Sequence, residues 1–129
     1  MGRRFFIALG SGRYCHLPED DQLGSVPDDI RATTELFAGF GYQAVLPGLG
    51  EYDGADQIRQ KLRHWSADTA LTGDDVVVLY FAGHGAVEPQ DRHYLFCWDS
   101  APDDLAATAP WPPRTWCASS PRVTCGICC

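Results

Sequence analysis

One histidine stands where a reacting side chain would be wanted. His84 lies between Gly83 and Gly85, directly after the apolar run Val76-Val77-Val78-Leu79-Tyr80-Phe81-Ala82. A short β-branched run of this kind reads as a strand buried on both faces, as inside a parallel sheet. In open α/β sheets the carboxyl end of such a strand is where ligands bind. The flanking glycines let the chain turn sharply and let another molecule come close to the backbone. Imidazole titrates near neutrality, so a histidine delivered to this position suits general base work. A lone histidine is more often structural, but the strand end and the two glycines favour a functional one.

The other candidate groups are weaker. His16, His84 and His93 with Cys15, Cys97 or Asp99 offer metal-ligating atoms, yet no pair has the close spacing of a zinc site, and neither metal nor cofactor is expected. His64 lies between Arg63 and Trp65 on a helical stretch and reads as solvated. Gly10-Ser11-Gly12 follows an apolar run and could cradle a phosphate, but the third glycine of the dinucleotide pattern is missing at Tyr14-Cys15. Cys125 and Cys128 have redox or metal spacing without a second ligand pair. Glu19-Asp20-Asp21 could favour basic substrates, although a solvated acidic loop is the plainer reading.

The elements that must position His84 follow from the pattern. Arg4 to Leu9 is a buried strand ended by Gly10-Ser11-Gly12, and a polar loop runs from Arg13 to Gly24. Ser25 reads as an N-cap, with Pro27 and Asp28-Asp29 in the first turn. Ile30, Thr33, Phe37 and Phe40 fall at helical spacing until Gly39 and Gly41 end the helix. Tyr42 to Leu46 is a short strand. Ala55, Ile58, Leu62 and Trp65 form a second helical stripe, with Arg59, Lys61 and Arg63 on its solvated side. The third strand carries His84, and His93 to Trp98 is apolar enough for a fourth strand or hairpin arm. Strands about 35 residues apart with helices between them are βαβ units, so the fold class is α/β with a mostly parallel sheet between helices.

Composition narrows the partners. A 129-residue chain with 45% hydrophobic residues can build one modest core. A net charge of −7 disfavours nucleic acid and anionic membranes, both of which call for basic patches. No apolar run reaches the roughly 20 residues needed to span a bilayer. Phe5 to Leu9 after Arg3-Arg4 is too short for a secretory core, so the expectation is a cytoplasmic protein.

These residues carry a resemblance. Tyr80-Phe81-Ala82-Gly83-His84-Gly85 resembles the histidine motif of the caspase and metacaspase superfamily. The upstream order, Arg4-Phe5-Phe6-Ile7-Ala8-Leu9-Gly10, then the Val26-to-Gly41 helix, then Gly41-Tyr42-Gln43-Ala44-Val45, is similar to that of bacterial caspase-like peptidases. It covers roughly Arg3 to Asp99. The resemblance implies a three-layer α/β/α sandwich and hydrolysis of peptide or protein substrates by a Cys-His dyad. It makes His84 the base and the Gly85 backbone N–H an oxyanion donor. It also implies a cysteine nucleophile after the next buried strand, and no run of that kind is present. The catalytic domain is then expected to be incomplete at its C-terminal side, and the chain to be inactive by itself. The alternative is a pseudoprotease or docking module that binds peptides without cutting them.

Residues 1–108 read as the partial peptidase domain and 109–129 as something else. All seventeen acidic residues lie at or before Asp104, whereas half of the twenty residues from Pro110 to Cys129 are Pro, Trp or Cys. One account is a shift of reading frame. Starting each codon on an old third base forces Ala where Trp111 meets Pro112, and Val where Trp116 meets Cys117. GC-rich choices elsewhere allow an amphipathic helix from Ala109 onward. Sequencing the DNA around Thr108 tests this: a stop within a few codons of the shifted frame would end the idea.

Overall fold

The computed structural model describes residues 2–87 and 93–100, without the side chain of His93. The Cys125–Cys128 pair and the whole 109–129 segment lie outside the described residues. Three parallel strands form the sheet: β1 (Arg4–Gly10), β2 (Gln43–Ala44) and β3 (Val76–Ala82), in the order β2-β1-β3. β1 is central. It pairs with β2 at Phe5↔Gln43 and with β3 along its whole length, from Arg4↔Val76 to Gly10↔Ala82.

The alternation of β1 side chains builds three layers. Phe6 turns to one face and stacks on Phe37 of helix α1 (Val26–Gly39), with ring centroids 4.4 Å apart. Ile7 and Leu9 turn to the other face, where they join Leu79 of β3 and Ile58 and Leu62 of helix α2 (Ala55–Thr69). Trp65 of α2 meets Phe5 edge-on at 5.3 Å. The two crossovers therefore place their helices on opposite faces of the sheet, the α/β sandwich expected from the βαβ spacing. A separate antiparallel hairpin follows, β4 (Gly85–Val87) with β5 (His93–Leu95).

Several local expectations change. β2 spans two residues instead of Tyr42 to Leu46, because Leu46 turns into the left-handed region (φ 53°) and carries the chain off the sheet. Phe40 is 63% exposed, since α1 ends at Gly39 and Gly41 (φ 81°) turns the chain outward before that ring can reach the sheet. Ser25 precedes α1 but its hydroxyl donates to Asp29 Oδ2 and caps no backbone N–H. β3 is not buried on both faces: among the described residues it is an edge strand, and of its seven residues only Leu79 is buried. The segment around Cys97 is strand only as far as Leu95, so Cys97 lies in the turn that follows, where its N–H donates to Ser100 Oγ.

A charged clamp ties the start of β1 to the turn before β3. Arg3 donates through its backbone N–H and its guanidinium to Asp75, and Thr72 N–H adds a further bond to the same carboxylate. Arg3, then Thr72, hold Asp75 well below the usual carboxylate range. A carboxylate depressed on folding contributes stability that is complete above its unfolded value near 3.9 and fades as pH falls towards the folded one. Asp75→Asn should lower the thermal midpoint at neutral pH. The gap to wild type should narrow below about pH 4, as circular-dichroism melts across pH would show.

Candidate active site

The order β2-β1-β3 has a functional consequence. The chain leaves β1 towards α1 on one face, while β3 is reached from α2 on the other, so the strand order reverses at β1. The crevice outside the carboxyl ends of β1 and β3 is a topological switch point, the position where open α/β sheets bind ligands. Gly83 and His84 leave β3 at this point. The β1–α1 loop, residues 11–25, leaves β1 beside them.

His84 is gripped at two places. Its backbone N–H donates to the Tyr14 hydroxyl at 2.8 Å, and its Nε2 lies 2.6 Å from the carbonyl oxygen of Asp21. A carbonyl only accepts, so Nε2 carries a proton and Nδ1 of the neutral ring is left as the basic nitrogen. Asp21 closes a single 3₁₀ turn, Glu19–Asp21. The ring packs against Tyr14 at 5.1 Å and Phe96 at 6.5 Å. Tyr14 is buried, and burial pushes its hydroxyl above the ordinary phenol range against the opposing effect of the bond from His84. It remains a neutral phenol at physiological pH.

Gly83 makes the grip possible. A Cβ there would stand 2.6 Å from the Tyr14 hydroxyl and 2.9 Å from the Phe81 ring, so no side chain fits between them. At Gly85 the hairpin register matters. The Phe96 N–H donates to the His84 carbonyl, which makes Gly85↔Leu95 a non-hydrogen-bonded pair. The Gly85 N–H thus points away from β5, towards the open side of the hairpin.

The other candidates from the sequence go elsewhere. Gly10-Ser11-Gly12 is filled by the chain itself. A Cβ on Gly10 would meet the Ala82 carbonyl at 2.2 Å, one on Gly12 would meet the Leu23 carbonyl at 2.6 Å, and the Ser11 hydroxyl donates to the Arg13 carbonyl. These glycines serve close backbone packing, which removes the phosphate-cradle reading. No group of three or more His, Cys, Asp or Glu able to hold a metal occurs among the described residues. The acidic loop acts through its backbone: the Asp21 carbonyl holds His84, while Glu19 pairs with Arg13 at 2.9 Å.

Two thiols lie among the described residues. Cys15 is exposed, one position from Tyr14, and its N–H donates to the Trp98 carbonyl at 3.0 Å. Cys97 packs against the α2-side core. Burial, then the charge of Asp99, pushes its thiol up to about 11, with Arg59 opposing in part. It is not a thiolate at neutral pH. Sequence reasoning missed Tyr14 and the Asp21 carbonyl. The signal for Tyr14 was an aromatic residue inside an otherwise polar loop; no signal marks a backbone carbonyl.

The family model described as the caspase domain matches residues 3–108. No curated protein and no solved structure matches the chain.

Proposed function

Since the chain belongs to the caspase-domain family, we propose that it carries the base half of a caspase-type cysteine endopeptidase site and does not cleave peptides by itself. Peptidases of this family act on protein substrates. The observation that carries the proposal is the pose of His84, with Nε2 on the Asp21 carbonyl at the β1/β3 switch point, which in the neutral ring leaves Nδ1 as the basic nitrogen. In this reading Nδ1 of His84 takes the proton of a cysteine thiol, and the thiolate adds to the substrate carbonyl carbon. The oxyanion that forms is met by the outward N–H of Gly85, a contribution of about 3 kcal/mol per donor in comparable hydrolases. The imidazolium then returns its proton to the leaving amine, and water releases the acyl group.

Neither described thiol suits the nucleophile's part: Cys97 is protonated within the core, and Cys15 lies on the exposed side of the β1–α1 loop. This supports inactivity of the chain alone, and keeps open a peptide-binding role without cleavage. The end of the family match at residue 108, where the composition changes, supports taking 109–129 as separate from the domain. Free thiols at Cys15 and Cys97 fit the reducing cytoplasm in which we place the protein.

A cysteine-directed peptide probe tests the reading. With labelled positions mapped by mass spectrometry, the probe should react with Cys15 at equal rates in wild type and His84→Ala. Labelling of any cysteine that disappears in His84→Ala would show an assembled dyad and overturn the inactivity.

A further inference from the structure

A general base has to be held within a fraction of an ångström and in one tautomer. We propose that residues 14–22 form a clamp in which Tyr14 and Gln22 are positioning residues for His84, an assignment that rests on His84 being the base. The clamp has two jaws. The Tyr14 hydroxyl takes the backbone N–H of His84, and the Asp21 carbonyl takes its ring Nε2–H. The jaws stand seven positions apart in sequence, and the only regular structure between them is one 3₁₀ turn. Something has to fix their spacing.

Gln22 does so. Its side-chain Oε1 accepts from the Tyr14 N–H at 2.7 Å, and its Nε2 donates to the carbonyls of Tyr14 and Leu17, both at 3.0 Å. The amide thus pairs with both backbone groups of Tyr14 and closes the loop directly beside Asp21. Two backbone bonds hold the clamp against the body: Leu23 N–H to the Gly12 carbonyl at 2.8 Å, just past its end, and Cys15 N–H, within it, to the Trp98 carbonyl at 3.0 Å. On the far side, Gly83 supplies the space the Tyr14 hydroxyl occupies. Packing alone would need only the aromatic body of Tyr14. The hydroxyl, buried and bonded to the peptide group of His84, fixes where the imidazole starts. Gln22 touches neither His84 nor a substrate, and acts through Tyr14 and Asp21.

The test is nuclear magnetic resonance on the full chain, wild type against Tyr14→Phe and Gln22→Leu, with Arg13→Ala as a control on the same loop. Two quantities are read: exchange of the His84 amide proton, and the ring tautomer from long-range proton–nitrogen couplings. Tyr14→Phe should speed exchange of that amide by at least about tenfold, the loss of one hydrogen bond. Gln22→Leu should convert a single Nε2–H tautomer into a mixture, and Arg13→Ala should change neither quantity. If both variants keep wild-type exchange and tautomer, the clamp is wrong. Should either fail to fold, Gln22→Glu, which keeps the acceptor and loses the donors, decides by the same readouts. A wild-type ring that is already a mixture removes the base assignment and the clamp with it. Loss of a single tautomer in the variants upholds the clamp whether or not any thiol of the chain reacts.

Discussion

Iodoacetamide should alkylate Cys97 about a hundredfold more slowly than an unperturbed cysteine at neutral pH, because only the thiolate reacts. Burial among the α2-side core residues and the charge of Asp99 push the thiol from about 9 up to about 11, and the Arg59 guanidinium recovers only part of that. Two pKa units are a hundredfold in thiolate population. Restricted access to a half-buried sulfur slows the reaction further. The rate should climb about tenfold per pH unit towards pH 11, and in denaturant it should match that of any free cysteine. Peptide mapping after timed alkylation measures this directly. A Cys97 that reacts as fast as an unfolded control at neutral pH would mean that an activated thiol had been taken for an inert one, and the chain would then hold a nucleophile candidate three residues beyond Tyr94.

Phe6→Ala should destabilise the fold by about 3–5 kcal/mol, the range for deleting a buried aromatic ring. Phe6 is among the largest fully buried side chains, sits on the central strand, stacks on Phe37 at 4.4 Å with an interplanar angle of 11°, and reaches Tyr80 at 6.4 Å. Its removal opens a cavity between α1 and the sheet that neighbouring side chains cannot close, since Phe37 is already held edge-on by Tyr42. Whole domains have about 5–15 kcal/mol to lose, so chemical denaturation should show the midpoint moved most of the way to zero denaturant. A loss below about 1 kcal/mol would mean that the α1 face is not packed as described.

The strands and helices were largely legible because their signals are local. The apolar runs of β1 and β3 and the Ile58–Leu62–Trp65 stripe identify themselves whatever the rest of the chain does. His84 was legible for the same reason, as a histidine between glycines at a strand end. The exposure of β3 was not, because it depends on which strand lies beside which, and no periodicity within Val76–Ala82 encodes the order β2-β1-β3. Nor was the way His84 is held. Tyr14 lies 70 positions away in sequence, and the group that accepts the hydrogen bond from the ring N–H is a peptide carbonyl that any residue at position 21 would supply. The extent of β2 turned on the backbone of Leu46, a residue whose type gives no warning of a positive φ. The acidic side chains of the 19–21 turn drew the eye to charge, whereas the contact that matters is made by backbone.

The central claim is that His84 is held as a base with its proton on Nε2. Long-range proton–nitrogen spectra of the labelled wild-type chain at about pH 8.5, where imidazole side chains are neutral, test it most directly. The account predicts one tautomer for His84, Nε2–H, with Nδ1 bare. A ring protonated on Nδ1, or an even mixture of the two forms, would contradict it.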